Sequence, residues 1–376
     1  MNENLIKEAL YQKYIEPTKK KRESYIGIEI EMPILNLDKK PVDFAIIHKI
    51  TDRFMEHFQF HEQGRDEEGN IYAATDEVYG DILSYDCSYN NLELSMGKEK
   101  ELFALQKRFS SYYSFLQKEL QKYHYTLTGM GVNPYRIYNR NVPIPNGRYR
   151  MLFHHLNSYK NYQLPMYFHE YPEYGTFSSA SQVQLDVDYD DLIPTLRAFS
   201  RVEPIKAVLL SNSVLLDEHE ELLCCRDMFW ENSTHGINPH NVGMFECDLE
   251  SEEDLLAYIE STSIYCLERD GKYINFPPIR IMEYFQQPVV EGELRKMFNY
   301  RQLPSFVDED QLYELVENVL KIAEEGLKDR GFGEEILLQP LFDRMRNRTN
   351  PAKKMLEMRE QETELEKIIL EFSYLK

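Results

Sequence analysis

A chain of 376 residues suits one large domain or two ordinary ones, and 42% apolar with 13% aromatic residues describes a protein that folds around a real core. A formal charge of -21 argues against nucleic acid and anionic membranes as partners, because a binding surface for either needs a concentrated basic patch. The one short basic run, Lys19 to Arg22, reads as a solvated turn, and no apolar run approaches the roughly 20 residues that a membrane helix requires. The first residues, MNENLIKEALYQKY, are charged throughout and lack the apolar centre of a signal peptide, so a cytoplasmic protein is expected. The five cysteines, Cys87, Cys224, Cys225, Cys247 and Cys266, have no metal-site spacing and read as buried reduced thiols. No HExxH occurs among the histidines, which argues against a zinc hydrolase.

Residues 3–15 read as a short helix leading into YIGIEIEMPI, Tyr25 to Ile34. This stretch alternates as a strand, with Ile26, Ile28, Ile30 and Met32 on one face and Gly27, Glu29 and Glu31 on the other. Two carboxylates on one strand face at roughly 6 Å repel by about 3 kcal/mol at an effective dielectric near 20. An exposed pair screened by water is an ordinary surface feature. It becomes chemistry only if other strands bring more oxygen ligands to the same face.

Phe44 to Phe58 has Ile46, Ile47, Ile50, Phe54 and Phe58 at helical spacing. DEEGNIYAA reads as a turn and strand, and the stretch from Ile82 to Met96 ends in a second alternator, with Leu92, Leu94 and Met96 opposed to Asn91, Glu93 and Ser95. A long amphipathic helix follows, with Leu102, Leu105, Phe109, Tyr112, Leu116 and Leu120 as its stripe. YTLTGMGVNPY is a strand ending in a Gly/Asn/Pro turn, and NGRYRMLFHHL returns to helix. In SASQVQLDVDY, Val183, Leu185 and Val187 point inward, and Gln182, Gln184, Asp186 and Asp188 outward. A helix capped by the Asp190–Asp191 pair spans 190–210, another spans 252–269, and KYINFPPI is a short strand. From Asp308 onward the pattern is helical, with Leu312, Leu315, Val319 and Ala323 as one stripe and a charged helix from about Pro351. The whole chain, 1–376, reads as one α+β domain with an N-terminal helical segment (1–22) and a helical C-terminal part (about 308–376). Strands with one polar face each predict an antiparallel sheet covered by helices on its apolar side and open on the other.

On that open face the alternation collects Glu29, Glu31, Glu93, Gln182 and Gln184, with Asp86 seven residues before Glu93. Several oxygen ligands without sulfur or clustered imidazole are the chemistry of Mg²⁺ or Mn²⁺, and Mg²⁺ so held usually serves a nucleotide.

The segments GIEIE, DCSYNNLELS, GMGVNP, PNGRYRML, SASQVQLDV, AVLLSNSVL and CRDMFW, taken in this order, make the chain resemble the glutamate–cysteine ligase superfamily of carboxylate–amine ligases, most closely its plant and proteobacterial branch, from about residue 20 to 285. The resemblance implies a glutamine-synthetase-like fold whose antiparallel sheet forms a funnel. It also implies a reaction in which ATP phosphorylates the γ-carboxylate of a glutamate-like substrate and an amine attacks the acyl phosphate. It places Mg²⁺ ligands at Glu29, Glu31, Asp86 and Glu93, with Gln182 where some relatives have His. Arg148, Arg226 and Trp230 fall where the family holds the acidic substrate and the transferring phosphate, with Arg148 and Arg226 as the catalytic cations. Nucleotide contacts fall at Gln184, Asn212 and Arg301. An Arg fork suits carboxylate and phosphate, and Arg226 and Trp230 share a helical face if their segment is helical.

The likeness stops in the later part. The family carries a strand with an E-x-R motif; the candidates here are GELR (Glu293, Arg295) and FNYRQLP (Asn299, Arg301), the second favoured by position, which would put Asn in place of a metal-binding Glu. NPHNVG supplies His240 and Asn241 where the family has an Arg. Two readings stay open: an ATP-dependent ligase whose amine acceptor, cysteine or another, is undetermined, and a catalytically weakened relative that binds a ligand or a protein.

Overall fold

The structure is a computed structural model that describes residues 3–164, 166–218, 222–243, 248–286 and 308–373. It is an α+β fold built on antiparallel strands. The elements in chain order are α1 (Glu3–Tyr14), β1 (Ile26–Asn36), α2 (Phe44–Phe58), β2 (His61–Arg65), β3 (Ile71–Thr75), β4 (Ile82–Tyr85), β5 (Asn91–Glu99), α3 (Leu102–Gln121), β6 (Tyr125–Leu127) and α4 (Gly147–Asn157). They continue with β7 (Ser181–Leu185), α5 (Leu192–Leu210), α6 (Cys225–Glu231), α7 (Glu252–Ser261), β8 (Ser263–Arg269), β9 (Lys272–Arg280), α8 (Ile281–Gln286), α9 (Glu309–Arg330), α10 (Gln339–Arg346), α11 (Pro351–Glu360) and α12 (Leu365–Glu371).

Strands β2-β3-β4-β5-β1-β6 lie in that order, and β7 also pairs with β1, all antiparallel. β1 is long enough to serve two partners along one edge: its first half pairs with β7 and its last residues, Ile34 to Asn36, with β6. α2 and α3 cover the apolar side. Asp43 caps α2 by accepting from Ala45 N at 3.0 Å, and the helix turns Ile47, Ile50 and Phe54 into the core. α3 adds Leu105, Tyr112, Leu116 and Leu120 against Leu83, Leu92, Leu94 and Ile34 of the sheet. Burying each such side chain contributes roughly 1.5–3 kcal/mol. The buried Asp81 locks β4 to β5 and α3: it accepts from Gly97 N at 2.7 Å, Tyr112 Oη at 2.9 Å and Arg108 Nε at 3.0 Å. The end of α12 returns to the sheet, where Ser373 O accepts from Tyr113 Oη and Gln117 Nε2.

Four expectations are corrected. The segment 252–269 is not one helix: α7 ends at Ser261 and β8 follows, joined to β9 by an Asp270–Gly271 turn with φ of +53° and +71°. An Asp-Gly pair between alternating stretches is a hairpin signal that outweighs the helical period of the preceding ten residues. Asp190 and Asp191 do not cap α5, because Asp191 has helical rather than extended backbone angles and its side chain makes no cap bond. Val183 and Leu185 do not point into a core; they are 64% and 40% exposed, because α3 packs over β5 and β6 and leaves β7 uncovered. In α9 the buried face is Tyr313, Val316 and Leu320, not the stripe through Leu315, which is half-exposed. α5 and α10, packing on α9, select that face.

Candidate functional site

The register of β1 decides which side chains meet. Glu31 stands opposite Glu93 of β5, and Glu29 opposite Ser95 on one side and Gln182 of β7 on the other. Residues directly opposite in an antiparallel pair share a face, so three carboxylates and a glutamine occupy one polar patch on the side away from α2 and α3. Gly27 lies opposite Gln184, and a Cβ at Gly27 would come within 3.2 Å of the Gln184 amide oxygen. Asp86 enters from the turn after β4, a tight turn in which Cys87 adopts φ +57°.

The electrostatics confirm how close these groups are. Burial is the first cause that pushes the Glu31 carboxyl up to about 7, followed by the charge of Asp86; Arg226 and the hydrogen bond from Ala180 N at 2.7 Å oppose it. Asp86 is also raised, by burial and then by Glu93, with Arg148 and Arg226 acting against. Glu29 is raised by burial and then by Glu93. Ser95 Oγ donates to Glu93, and the Cys87 thiol reaches Asp86 at 3.7 Å. The carboxylates therefore share a face and a field. They do not share a point: among the described residues no group of three or more His, Cys, Asp or Glu stands close enough together to hold a metal ion.

The cations arrive from two helices. α4 begins at Gly147 under an Asn146 cap that accepts from Tyr149 N at 2.9 Å, which sets Arg148 in the first turn. α6 carries Arg226 and Trp230 four residues apart, and the guanidinium carbon lies 6.0 Å from the indole centroid. Arg226 Nε is buried and has no hydrogen-bond partner among the described residues.

Of the remaining predicted residues, Gln182 and Gln184 are exposed on β7. The Asn212 amide donates to Gly129 O at 2.7 Å, and Asn212 borders a small cavity that Glu31, Tyr113 and Phe372 also line. Arg301, Asn299, Glu293 and Arg295 lie outside the described residues. Asn241 stitches its loop to β8, donating to Ser263 O at 3.1 Å and accepting from Ser263 N at 2.7 Å.

Sequence reading missed the aromatic wall beside the arginines. Trp230 meets Tyr174 edge-on at 5.1 Å and His235 at 5.3 Å. Tyr265 of β8 feels the charges of Cys87 and Arg148, and its ring stacks on His155 at 3.6 Å. Tyr265 lies in the stretch whose spacing predicts helix and which the structure shows as β8, and the HHL doublet of α4 is the sequence signal for His155. No family model matches the chain, and no curated protein matches it.

Proposed function

We propose that the chain is an ATP-dependent carboxylate–amine ligase, with a glutamine-synthetase-like funnel formed by the open face of the sheet. A single observation carries the reading: one face holds carboxylates in excess of their cations, while the adjacent Arg226 holds a buried N–H without an acceptor. The carboxylates outnumber the arginines whose charges reach them, and the buried Nε–H of Arg226 has no acceptor among the described residues. A divalent metal with a polyphosphate supplies both a cation and an acceptor, so an oxygen donor set of this kind suits Mg²⁺–ATP.

In this reading Glu29, Glu31, Glu93 and Asp86, with Gln182 beside Glu29, would hold Mg²⁺ or Mn²⁺ in part through water, since the carboxylates share a face without converging on one point. When bound, the metal neutralises charge on the phosphates during transfer. Arg226 and Arg148 bind the anionic substrate and the phosphoryl group, and Trp230 keeps the Arg226 guanidinium in place by flanking it. The aromatic wall of Tyr174, Trp230 and Tyr265 limits water near an activated carboxyl. The acidic substrate is glutamate-like and its partner is an amine.

The test is ADP release by the purified chain with ATP, Mg²⁺, glutamate and a panel of amines. ADP formation dependent on both glutamate and an amine supports the reading. Binding of Mg²⁺–ATP without turnover on any amine would instead make the chain a binding member of this class, and no Mg²⁺-dependent ATP binding would remove both.

A further inference from the structure

Among the described residues, eight positions other than glycine have a left-handed backbone. Seven of them are exposed, and Cys87, at φ +57° and 4% exposed, is the buried one. A left-handed backbone costs stability in any residue with a Cβ, and Asn and Asp tolerate it better than most. Glycine would make the same turn without that cost. The backbone therefore does not explain a cysteine at this position, and a buried outlier beside a candidate site directs attention to its side chain.

The Cys87 thiol donates to Asp86 Oδ1 at 3.7 Å, the one hydrogen bond that the Asp86 carboxylate accepts among the described residues. On its other side Gly175 leaves room for the sulfur, since a Cβ there would come within 3.3 Å of Cys87 Sγ. The Cys87 carbonyl accepts from Ile144 N at 2.9 Å, in the stretch that leads into α4 and Arg148. The turn thus joins one carboxylate of the acidic face to the segment that carries one of its cations. A thiol packs as a small apolar group and still offers a weak donor, which suits a buried position against a carboxylate.

We propose that Cys87 is a positioning residue, whose thiol fixes the direction of the Asp86 carboxylate for a divalent cation held together with Glu31 and Glu93. The role rests on the metal–nucleotide reading above. Carboxylates that share a face without meeting at one point depend on the direction of each, and Asp86 lies in the field of Glu93 as Glu31 lies in that of Asp86. Groups that orient a metal ligand through a hydrogen bond commonly change metal affinity by about tenfold or more.

Mn²⁺ is titrated into the full chain, with and without ATP, and free Mn²⁺ is read by electron paramagnetic resonance. Melting temperatures of the same proteins are measured by calorimetry. Cys87→Ala removes the thiol alone, Cys87→Gly removes the thiol and the left-handed cost together, and Cys87→Ser keeps a donor. Both truncations should bind Mn²⁺ about tenfold more weakly than wild type. Cys87→Ser should lie nearer to wild type than to Cys87→Ala, and Cys87→Gly should melt no lower than Cys87→Ala. A merely structural role would make affinity follow melting temperature, so weak binding by Cys87→Gly together with rescue by Cys87→Ser supports positioning. Wild-type affinity in either truncation, or a Cys87→Ser protein no better than Cys87→Ala, overturns it. If neither truncation folds, Gly175→Ala decides: its Cβ crowds the thiol while Cys87 stays, and it should weaken Mn²⁺ binding, whereas wild-type affinity overturns the role. A wild-type chain that binds Mn²⁺ neither alone nor with ATP removes the metal reading and this role with it; a wild-type chain that binds, with Cys87→Ala binding equally, overturns the role and spares the reading.

Discussion

Glu31→Gln should make the metal-free protein more stable at neutral and alkaline pH. In the folded chain the Glu31 carboxyl titrates at about 7, against 4.5 for an unperturbed carboxyl, because it is half-buried beside Asp86 and Glu93. Between those two values the folded state holds a proton that the unfolded state has released, so stability falls as pH rises through the window. Below it the carboxyl is neutral in both states and costs nothing; above it the ionised group costs at most about 3 kcal/mol, since water screens part of the repulsion. Glutamine keeps the shape and the acceptor for Ala180 N, bonded at 2.7 Å, and removes the charge. Urea unfolding of both proteins with chelator present, from pH 4 to pH 8, measures the difference. The midpoints should coincide near pH 4 and separate progressively above about pH 5, with the variant more stable. A variant less stable than wild type at pH 8 would refute the reasoning, because it would mean that the Glu31 charge is compensated within the protein by Arg226 and Ala180.

The same charges set further expectations. Mg²⁺ should raise the melting temperature of wild type at pH 8 and leave a Glu29→Gln/Glu31→Gln protein nearly unmoved, which differential scanning calorimetry reads; equal shifts would remove the metal assignment. Arg226→Ala should weaken Mg²⁺–ATP or acidic-substrate binding by about tenfold or more in calorimetry, and unaltered binding of both would mean that its unpartnered Nε serves only the packing around Trp230. Gly236→Ala should cost more than about 3 kcal/mol and deplete the soluble protein, because the added Cβ would fall 2.0 Å from the Glu231 carbonyl oxygen at the end of α6; wild-type stability by urea unfolding would show that this backbone gives way freely.

Local periodicity was enough to read which residues share a face, since side-chain direction along a strand or helix follows from the backbone repeat alone. Glu29 with Glu31, Glu93 with Ser95 and Gln182 with Gln184 were legible in that way, as was α2, whose predicted and observed limits are both Phe44 and Phe58. The Asp270–Gly271 turn was equally local and was overlooked, and with it Tyr265. What no periodicity contains is the register that sets Glu31 against Glu93 and Glu29 against Gln182, strands separated by some sixty and one hundred and fifty residues of chain. The exposed Val183 and the inward choice of Val316 over Leu315 are of the same kind: both stretches are amphipathic or alternating, and which apolar side is buried depends on whether α3, α5 or α10 arrives to cover it. Nor could the residues near one another in sequence announce that His155, His235 and Tyr265 would meet. Such contacts arise where burial of distant surfaces outweighs local preference, so only the tertiary structure decides them.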